Sequence, residues 1–404
     1  MSLSVLIDAT SLPANAGGVG RYLLHLLPAL DRSGEVRLVV ACQARDRDAW
    51  AALAPGATIA VVPSWARSVP GRLIWEQVGL PALAARHGVD VIHSPHYTMP
   101  LLARRPVVVT LHDATFFSHP DLHGRLKRSF FRFWTRFSVR HAAVCVTPSR
   151  ATLDEVKAVT HASLTGAVVA YHGIDVDRFR PASAAAIDDV DRAFDGHGPY
   201  VAFVGTIEPR KNVGPLIEGF LRATDDERLL GWRLLIAGGA GWDDEAVETL
   251  RSQKHRPRVQ WTGFLDDEAL PAFLSGAELV AYPSEGEGFG LPVLEAMACG
   301  TAVLTTKRLA LPEVGGDVAF YTETSVDAIA NSLRDVLLDR RGRHDRASEG
   351  PARATGFTWA RSASHHLDAY RVAARSASGR TATSGAPKPG ATRRDDPTSK
   401  GAAA

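Results

Sequence analysis

Short, almost wholly apolar runs recur along the sequence and are separated by segments with the periodicity of a helix. In the first half these runs are Val5–Asp8, Val36–Ala41, Ile59–Val62, Val89–His93, Pro106–Leu111 and Ala143–Thr147. Segments such as Arg21–Leu30 and Arg72–Arg86 lie between them and repeat their apolar residues at helical spacing. Strands that are apolar on both faces are typical of parallel sheets covered by helices on each side. The pattern therefore predicts a doubly wound α/β fold.

A second series of the same kind begins after a change of composition. Residues 173–198 are rich in Pro, Ala, Asp and Gly, and we predict a linker with one short helix there. The strands predicted beyond it are Tyr200–Gly205, Arg233–Gly238, Val259–Thr262, Leu279–Tyr282 and Ala302–Thr305. The length of 404 residues suffices for two domains of about 150–200 residues each. We predict two Rossmann-like domains that face each other across a cleft, with a ligand at the carboxyl ends of the strands.

The predicted boundaries are residues 1–175 for the N-terminal domain, 176–198 for the linker and 199–356 for the C-terminal domain. The end of the chain, residues 376–404, contains no Leu, Ile, Val, Phe, Met, Trp or Tyr. Such a segment cannot bury apolar surface, so we predict a disordered tail there.

Charge and cysteine usage exclude several classes of protein. The 46 basic and 44 acidic residues nearly balance, whereas a nucleic-acid-binding protein would carry a large basic excess. No apolar run approaches the roughly 18 residues that a membrane span needs, and the chain reaches Asp8 too soon for a signal peptide. Cys42, Cys145 and Cys299 lie far apart in apolar surroundings, which favours free thiols in a reducing compartment. We expect a cytoplasmic protein that does not bind nucleic acid.

The segment from Ser284 to Met297 carries the strongest chemical signal. A strand is predicted to end just before a glycine-rich loop, and Pro292 then occupies the first turn of a helix, whose free backbone amides can bind a phosphate. Glu287 in the loop and Glu295 inside the helix can accept hydrogen bonds from sugar hydroxyls. The arrangement suits a nucleotide sugar, and the alternative is a glycine-rich turn with exposed acids.

Two other pairs of charged residues differ in what they indicate. Arg210 and Lys211 follow the first strand of the second half, where they can neutralise a leaving diphosphate, although such a pair is often only a solvated loop. Asp175 and Asp177 form a D-x-D pattern of the kind that can hold a divalent metal. They lie in the linker rather than after a strand, so we predict no metal site.

The N-terminal half offers two candidates for the opposite wall of the cleft. The segment Gly17–Tyr22 opens a helix after the first strand, and Gly18 would let the backbone approach an anion closely. It lacks the complete dinucleotide-binding fingerprint and is equally consistent with a simple helix-start turn. His112 ends a predicted strand and can face the cleft, but His93 and His96 compete for the same role.

A basic and aromatic helix is predicted over residues 124–141. Its aromatic face consists of Leu126, Phe130, Phe133, Trp134 and Phe137, and the stripe beside it consists of Arg128, Arg132, Arg136 and Arg140. A helix of this kind can lie on an anionic membrane surface, and the alternative is a core-facing aromatic stripe with a solvated basic edge. We expect the aromatic residues to pack inside and any membrane contact to come from the arginines.

Together these motifs resemble the retaining glycosyltransferases of family 4, which have the GT-B architecture, over about residues 6–370. Glu287 and Glu295 fit the Glu-x7-Glu motif of the family, with its Glu-Gly-Phe-Gly-Leu-Pro core intact. Other matching segments are Glu208–Asn212, Leu311–Val314, the Gly173–Pro181 entry to the linker, and Phe357–Trp359. A helix at residues 357–375 resembles the terminal helix that packs back on the first domain in this family.

The resemblance implies how a nucleotide-sugar donor would bind. The residues that it places around the donor are Gly18, Arg210 and Lys211 at the diphosphate, Glu295 at the ribose, Glu287 and His112 at the sugar, Phe264 near the base, and the backbone amides of Phe289, Gly290 and Leu291. It also implies front-face attack, in which the leaving phosphate serves as the base and the protein stabilises charge at the leaving group. Neither a cofactor nor a metal is implied.

Three further segments, residues 7–22, 75–77 and 92–95, narrow the resemblance to mannosyltransferases that build bacterial O-antigen or exopolysaccharide. That branch implies transfer of mannose from GDP-mannose to a glycan or lipid-linked acceptor. If the acceptor is lipid-linked, we expect the helix at residues 124–141 to make peripheral contact with the inner face of the membrane. The alternatives are a sugar-nucleotide epimerase or a phosphorylase of the same architecture, or a non-catalytic subunit that binds nucleotide sugars. The intact charged motifs argue against the last of these.

Overall fold

The computed structural model describes residues 3–11, 18–120, 124–194, 196, 198–252 and 258–383. It contains two parallel sheets, each flanked by helices on both faces. The N-terminal sheet contains β1 (Leu3–Asp8), β2 (Val36–Cys42), β3 (Thr58–Val61), β4 (Val91–Ser94), β5 (Val107–Thr110), β6 (Val144–Thr147) and β7 (Val168–Val169). Its helices are α1 (Gly18–Ser33), α2 (Arg47–Leu53), α3 (Val69–Ile74), α4 (Leu80–His87), α5 (Thr115–Ser118), α6 (Arg125–His141) and α7 (Arg150–Thr160). The strand order is β3-β2-β1-β4-β5-β6-β7.

A linker with one helix leads to the second sheet, which is also parallel. The linker contains α8 (Ala184–Ala193), and the second sheet contains β8 (Tyr200–Val204), β9 (Arg233–Ala237), β10 (Val259–Gly263), β11 (Leu279–Tyr282), β12 (Val303–Thr306) and β13 (Phe320–Thr322). Its helices are α9 (Val213–Ala223), α10 (Asp244–Ser252), α11 (Leu270–Ser275), α12 (Leu291–Ala298), α13 (Leu311–Gly315), α14 (Val326–Leu338) and α15 (Arg340–Ala354). The order β10-β9-β8-β11-β12-β13 again reverses beside the first strand. The predicted fold class, two Rossmann-like α/β domains, is confirmed.

The terminal helix α16 (Trp359–Thr383) packs on the N-terminal domain, although it follows the C-terminal one. Its Leu367 and Tyr370 belong to the same buried cluster as residues of α1 and β1. The chain crosses at Gly173, where a Cβ atom would lie 2.1 Å from the amide nitrogen of Trp359. The helix continues to Thr383, beyond the end at residue 375 that was predicted for it, and residues 384–404 of the predicted tail lie outside the described part of the chain.

The prediction that the aromatic face of α6 packs inside is wrong in part, since only some of its residues, including the partly buried Phe130 and Phe137, contact the core. Trp134 is buried as expected, but Leu126 and Phe133 are 86% and 59% exposed. Arg132 instead donates from Nε to the carbonyl oxygen of Phe116 at 2.7 Å and lies over the ring of Phe117. Arg132 makes these contacts because α5 lies beside it and supplies backbone carbonyl acceptors. Among the described residues, no helix is both long and apolar enough to cross a membrane.

Candidate active site

The loops after β8 and β11 meet because these two strands are neighbours in the second sheet. The first loop carries Arg210 and Lys211 in a short 3-10 turn, and the second carries Glu287. Arg210 Nη1 lies 2.6 Å from Glu287 Oε2, and Lys211 Nζ lies 2.6 Å from Glu287 Oε1. The structure thus brings together three of the predicted site residues in one buried ion cluster.

Further partners surround the carboxylate of Glu287. Its Oε1 atom accepts hydrogen bonds from the hydroxyls of Tyr282 at 2.9 Å and Ser284 at 3.0 Å. Burial alone would raise the pKa of Glu287, but the charges of Arg210 and Lys211 bring it down to about 2. Oε1 is therefore saturated, whereas Oε2 has Arg210 as its one partner among the described residues and retains a lone pair for a further donor.

Arg210 and Lys211 are held differently within the cluster. Arg210 also pairs with Glu208, at 2.6 Å from Nη2, and donates to the carbonyl oxygen of Gly286. Lys211 Nζ donates to Glu287 and to the hydroxyl of Tyr282. An ammonium group has three donors, and these two hydrogen bonds are the ones that Lys211 makes within the described part of the chain. Arg210 instead braces the two loops.

The start of α12 lies beside this cluster. Gly290 adopts φ +103°, a left-handed conformation that favours glycine, and thereby turns the chain from the loop into the helix. Amides at the entry to a helix have no intrahelical acceptor, so those of Phe289, Gly290 and Leu291 at the amino end of α12 can serve an anion. The side chain of Phe289 is buried against the ring of His172, so only its backbone is available to a ligand.

Glu295 lies on α12 with only 4% of its surface exposed. Its Oε1 atom is 3.2 Å from Arg21 Nη1 on α1 of the other domain, and its Oε2 atom has no hydrogen-bond partner among the described residues. Burial raises the pKa of this carboxyl, and the charge of Arg21 offsets part of the rise. An unsatisfied buried acceptor costs about 1–3 kcal/mol, so Oε2 is suited to a hydroxyl donated by a ligand.

His112 follows β5 and reaches the C-terminal domain. A Cβ atom on Gly288 would lie 1.9 Å from the His112 carbonyl oxygen, so the glycine allows the two domains to touch. The ring donates from Nε2 to the carbonyl oxygen of Pro95 at 2.8 Å, which assigns the proton to Nε2 and leaves Nδ1 as an acceptor. Burial lowers the pKa of His112 and favours this neutral form.

The other predicted residues lie outside the ion cluster of Arg210, Lys211 and Glu287. Gly18 begins α1, with open space where a Cβ atom would be, and Gly17 lies outside the described residues. Phe264 follows β10 and is 75% exposed. His96 packs against aromatic rings inside the N-terminal domain.

Known families match both domains. A family model described as Glycosyltransferase Family 4 matches residues 16–178, and one described as Glycosyl transferases group 1 matches residues 186–353. The chain is a family 4 glycosyltransferase. This confirms the family predicted from the motifs.

Individual relatives agree with that assignment. Over 294 residues the glycosyltransferase is 28% identical to O-antigen chain mannosyltransferase B of Escherichia coli, covering 72% of this chain and 77% of the relative. Sucrose-phosphate synthase of Thermosynechococcus elongatus superposes with a TM-score of 0.73 at 19% identity, over 91% of this chain and 98% of that one. Alr3699/HepE of Anabaena, solved with UDP and glucose, gives 0.70 at 20% identity over the same shares. At such identities the structures establish the fold, which is GT-B.

Two interdomain contacts of the glycosyltransferase were not predicted. The first is the ion pair of Arg21 with Glu295. The sequence could have indicated Arg21 as a site residue, because it closes the Gly-Val-Gly-Arg segment at the start of α1. Glu313 lies in the matching Leu-Pro-Glu-Val segment, and its carboxylate accepts hydrogen bonds from the amides of Arg150 at 3.0 Å and Ala151 at 2.6 Å. It also accepts from the Tyr171 hydroxyl at 2.7 Å. Glu313 therefore links the C-terminal domain to the first turn of α7.

The D-x-D segment of the glycosyltransferase forms a local turn. Asp175 Oδ1 accepts hydrogen bonds from the amides of Asp177 at 3.2 Å and Arg178 at 3.3 Å. In the described part of the chain, no three His, Cys, Asp or Glu side chains are grouped in a way that could hold a metal ion.

Proposed function

We propose that the enzyme is a retaining glycosyltransferase that moves mannose from GDP-mannose onto a glycan or lipid-linked acceptor in cell-surface polysaccharide synthesis. The observation that carries the proposal is the buried cluster of Arg210, Lys211 and Glu287 beside the first turn of α12. It combines cations for a diphosphate with a carboxylate oxygen that still has a lone pair. The relative from Escherichia coli, an O-antigen chain mannosyltransferase, supports the choice of sugar and pathway.

The donor then has a place for each of its parts. The diphosphate lies against Lys211, Arg210 and the amides at residues 289–291, with Gly18 opposite. The ribose donates a hydroxyl to Glu295 Oε2, which otherwise lacks a described partner. The mannose donates to Glu287 Oε2 and to His112 Nδ1. The base lies towards Phe264, where an exposed ring is available for stacking.

The chemical step breaks the bond between the anomeric carbon and the diphosphate and forms one to an acceptor oxygen. The acceptor proton passes to the leaving phosphate, and negative charge accumulates on that group. Lys211 and Arg210 stabilise this charge, which is the main contribution asked of the protein. Glu287 is a weak base because its pKa is about 2, which supports the leaving phosphate as the base that takes the acceptor proton.

A thermal-shift panel tests the donor assignment. GDP-mannose should raise the melting temperature more than UDP-glucose, ADP-glucose or dTDP-glucose, because a ligand that binds only the native state stabilises it. Transfer to a lipid-linked glycan should then give an α-linked mannose, visible by NMR of the product. Interconversion of the donor without acceptor would identify an epimerase, and binding without any reaction would identify a non-catalytic subunit.

Replacing Glu295 by alanine should weaken binding of free GDP by about 1–3 kcal/mol, the scale of a charge-assisted hydrogen bond. Isothermal titration of both proteins with GDP measures this change. Glu278→Ala is a matched control, since Glu278 pairs with Arg343 at 3.2 Å before the amino end of β11, away from the cleft. Equal affinity in Glu295→Ala and the unmodified enzyme would refute the ribose assignment.

The exposed side of α6 is proposed to rest on anionic lipid, where a lipid-linked acceptor would be found. It presents Lys127, Arg136 and Arg140 together with the exposed Leu126 and Phe133. Cations near an anionic leaflet contribute about 1 kcal/mol each, and the apolar side chains add burial in the interface.

Sedimentation with anionic vesicles tests this contact. The pair Arg136→Ser with Arg140→Ser should weaken binding by about 2 kcal/mol, or roughly thirtyfold. Arg251→Ser with Arg341→Ser, on exposed helices of the other domain, removes the same charge and should leave binding nearly unchanged. Binding should also fall with added salt. Identical losses in the two double variants would show that net charge alone governs association.

A further inference from the structure

A continuous chain of hydrogen bonds lies beneath the N-terminal wall of the cleft and joins α16 to α1. Tyr370 OH is 2.9 Å from His93 Nδ1, and His93 Nε2 is 2.8 Å from Thr110 Oγ1. Thr110 Oγ1 is 3.1 Å from Tyr22 OH, which is 2.6 Å from His366 Nε2. All of these side chains are essentially inaccessible to water.

The direction of every hydrogen bond in this chain is determined. His366 Nδ1 lies 2.7 Å from the carbonyl oxygen of Ser362, which can only accept, so the proton is on Nδ1 and Nε2 is the acceptor. Burial lowers the pKa of His366 to about 4, so the ring is neutral near pH 7. Tyr22 must therefore donate to His366, and Thr110 must donate to Tyr22.

The same logic completes the other end of the chain. Since the Thr110 proton is used towards Tyr22, His93 donates to Thr110 from Nε2. His93 Nδ1 is then an acceptor for the Tyr370 hydroxyl. Every donor in this hydrogen-bond chain is used once. A proton on His366 Nε2, or an apolar side chain in place of His366, would leave a buried polar atom unpaired.

Tyr22 connects this chain to the cleft. Its ring packs edge-on against the ring of His112, with 5.1 Å between the centroids and 79° between the planes. The His112 ring is also held by the hydrogen bond to Pro95 and by contacts with the rings of Tyr97 and His172. Thr110 and His366 set the position of the Tyr22 ring, and this ring is thus one of the groups that fix the direction in which the free Nδ1 of His112 faces.

We propose that His366, on the terminal helix, is a positioning residue of the donor site and acts through Tyr22 on His112. The inference rests on the proposed contact between His112 and the donor sugar. It gives α16 a part in the reaction besides covering the N-terminal core. His366 itself does not reach the substrate.

Steady-state kinetics of three variants test this role. His366→Leu removes the acceptor for Tyr22 and should lower kcat about tenfold, because small displacements of a reacting group are costly. Binding of free GDP should change less than about twofold, because GDP lacks the sugar that His112 is proposed to contact. A tenfold change in affinity would require about 1.4 kcal/mol. His366→Gln should restore most of kcat, because its amide can donate to Ser362 and accept from Tyr22.

Leu367→Ala is the matched control on the same helix. Leu367 is 3% exposed and packs in the N-terminal core outside the hydrogen-bond chain. This variant should lower the melting temperature and leave kcat unchanged. A loss of kcat in Leu367→Ala equal to that in His366→Leu would overturn the proposal, since general loosening of the helix would then explain both.

A double-mutant cycle separates this inference from the proposed function. In a His112→Ala background, His366→Leu should have no further effect on kcat, because the two residues act in one path. Independent, multiplying effects would overturn the inference while leaving the activity in place. An unmodified enzyme that transfers no sugar would instead refute the proposed function. Nitrogen NMR of the histidines should also show the proton on Nδ1 of His366 and on Nε2 of His93.

Discussion

Replacing Lys211 by alanine should lower kcat by about 10²–10³-fold, which is the effect of removing one donor aimed at developing charge. Lys211 has one proton not used by Glu287 or Tyr282, and in the proposed reaction this proton stabilises the leaving diphosphate as it gains charge. The donor KM should change far less, because the charge on the diphosphate is greater in the transition state than in the bound donor. Initial-rate kinetics over a range of donor concentrations separate the two quantities.

Lys307→Ala is the control for a lost lysine in the same domain. Lys307 lies 5.5 Å from the ring centroid of Tyr321 and is outside the ion cluster. Thermal melting should show both variants folded, because Glu287 keeps Arg210 as a partner in Lys211→Ala. A Lys211→Ala enzyme with normal kcat and only a raised donor KM would place the lysine in ground-state binding instead.

The ion cluster shows how much of the candidate site could be predicted from the sequence. Arg210 and Lys211 were predicted at one strand end and Glu287 at another, and 76 positions separate Lys211 from Glu287. A doubly wound sheet places its first and fourth strands side by side, so the meeting of these loops follows from the fold class. The strand–loop–helix order around residues 284–297 was likewise readable, because Pro292 and the glycines mark it locally.

Other features depend on contacts that no local pattern encodes. The pairing of Arg21 with Glu295 requires the relative placement of two domains. The surroundings of α6 depend on α5, which contacts Arg132 on the basic edge that the periodicity leaves free. The strands β7 and β13 have only two and three residues, too few to show a pattern of their own, and they add to sheets whose register longer strands determine.

Replacing Glu287 by glutamine should destabilise the protein by about 3–5 kcal/mol at pH 7, because it removes the partner of two buried cations. Glu208 then remains as an anionic partner for Arg210, while Lys211 keeps only uncharged acceptors such as the Tyr282 hydroxyl. Urea unfolding followed by circular dichroism measures the free energy of unfolding. Glu323→Gln is the control, since Glu323 is exposed and lies 3.8 Å from Arg308, and it should cost under about 1 kcal/mol.

The destabilisation by Glu287→Gln should also depend on pH. The pKa of Glu287 is about 2 in the folded protein, against an ordinary value of 4.5. A depressed pKa gives stability that is fully present above the ordinary value and is lost as the pH falls towards the folded value. Between pH 7 and pH 3 the unmodified enzyme should therefore lose about 2 kcal/mol that the glutamine variant cannot lose. A difference between the two proteins that stays constant over this range would mean that Glu287 has an ordinary pKa, and that its two cations do not hold it charged.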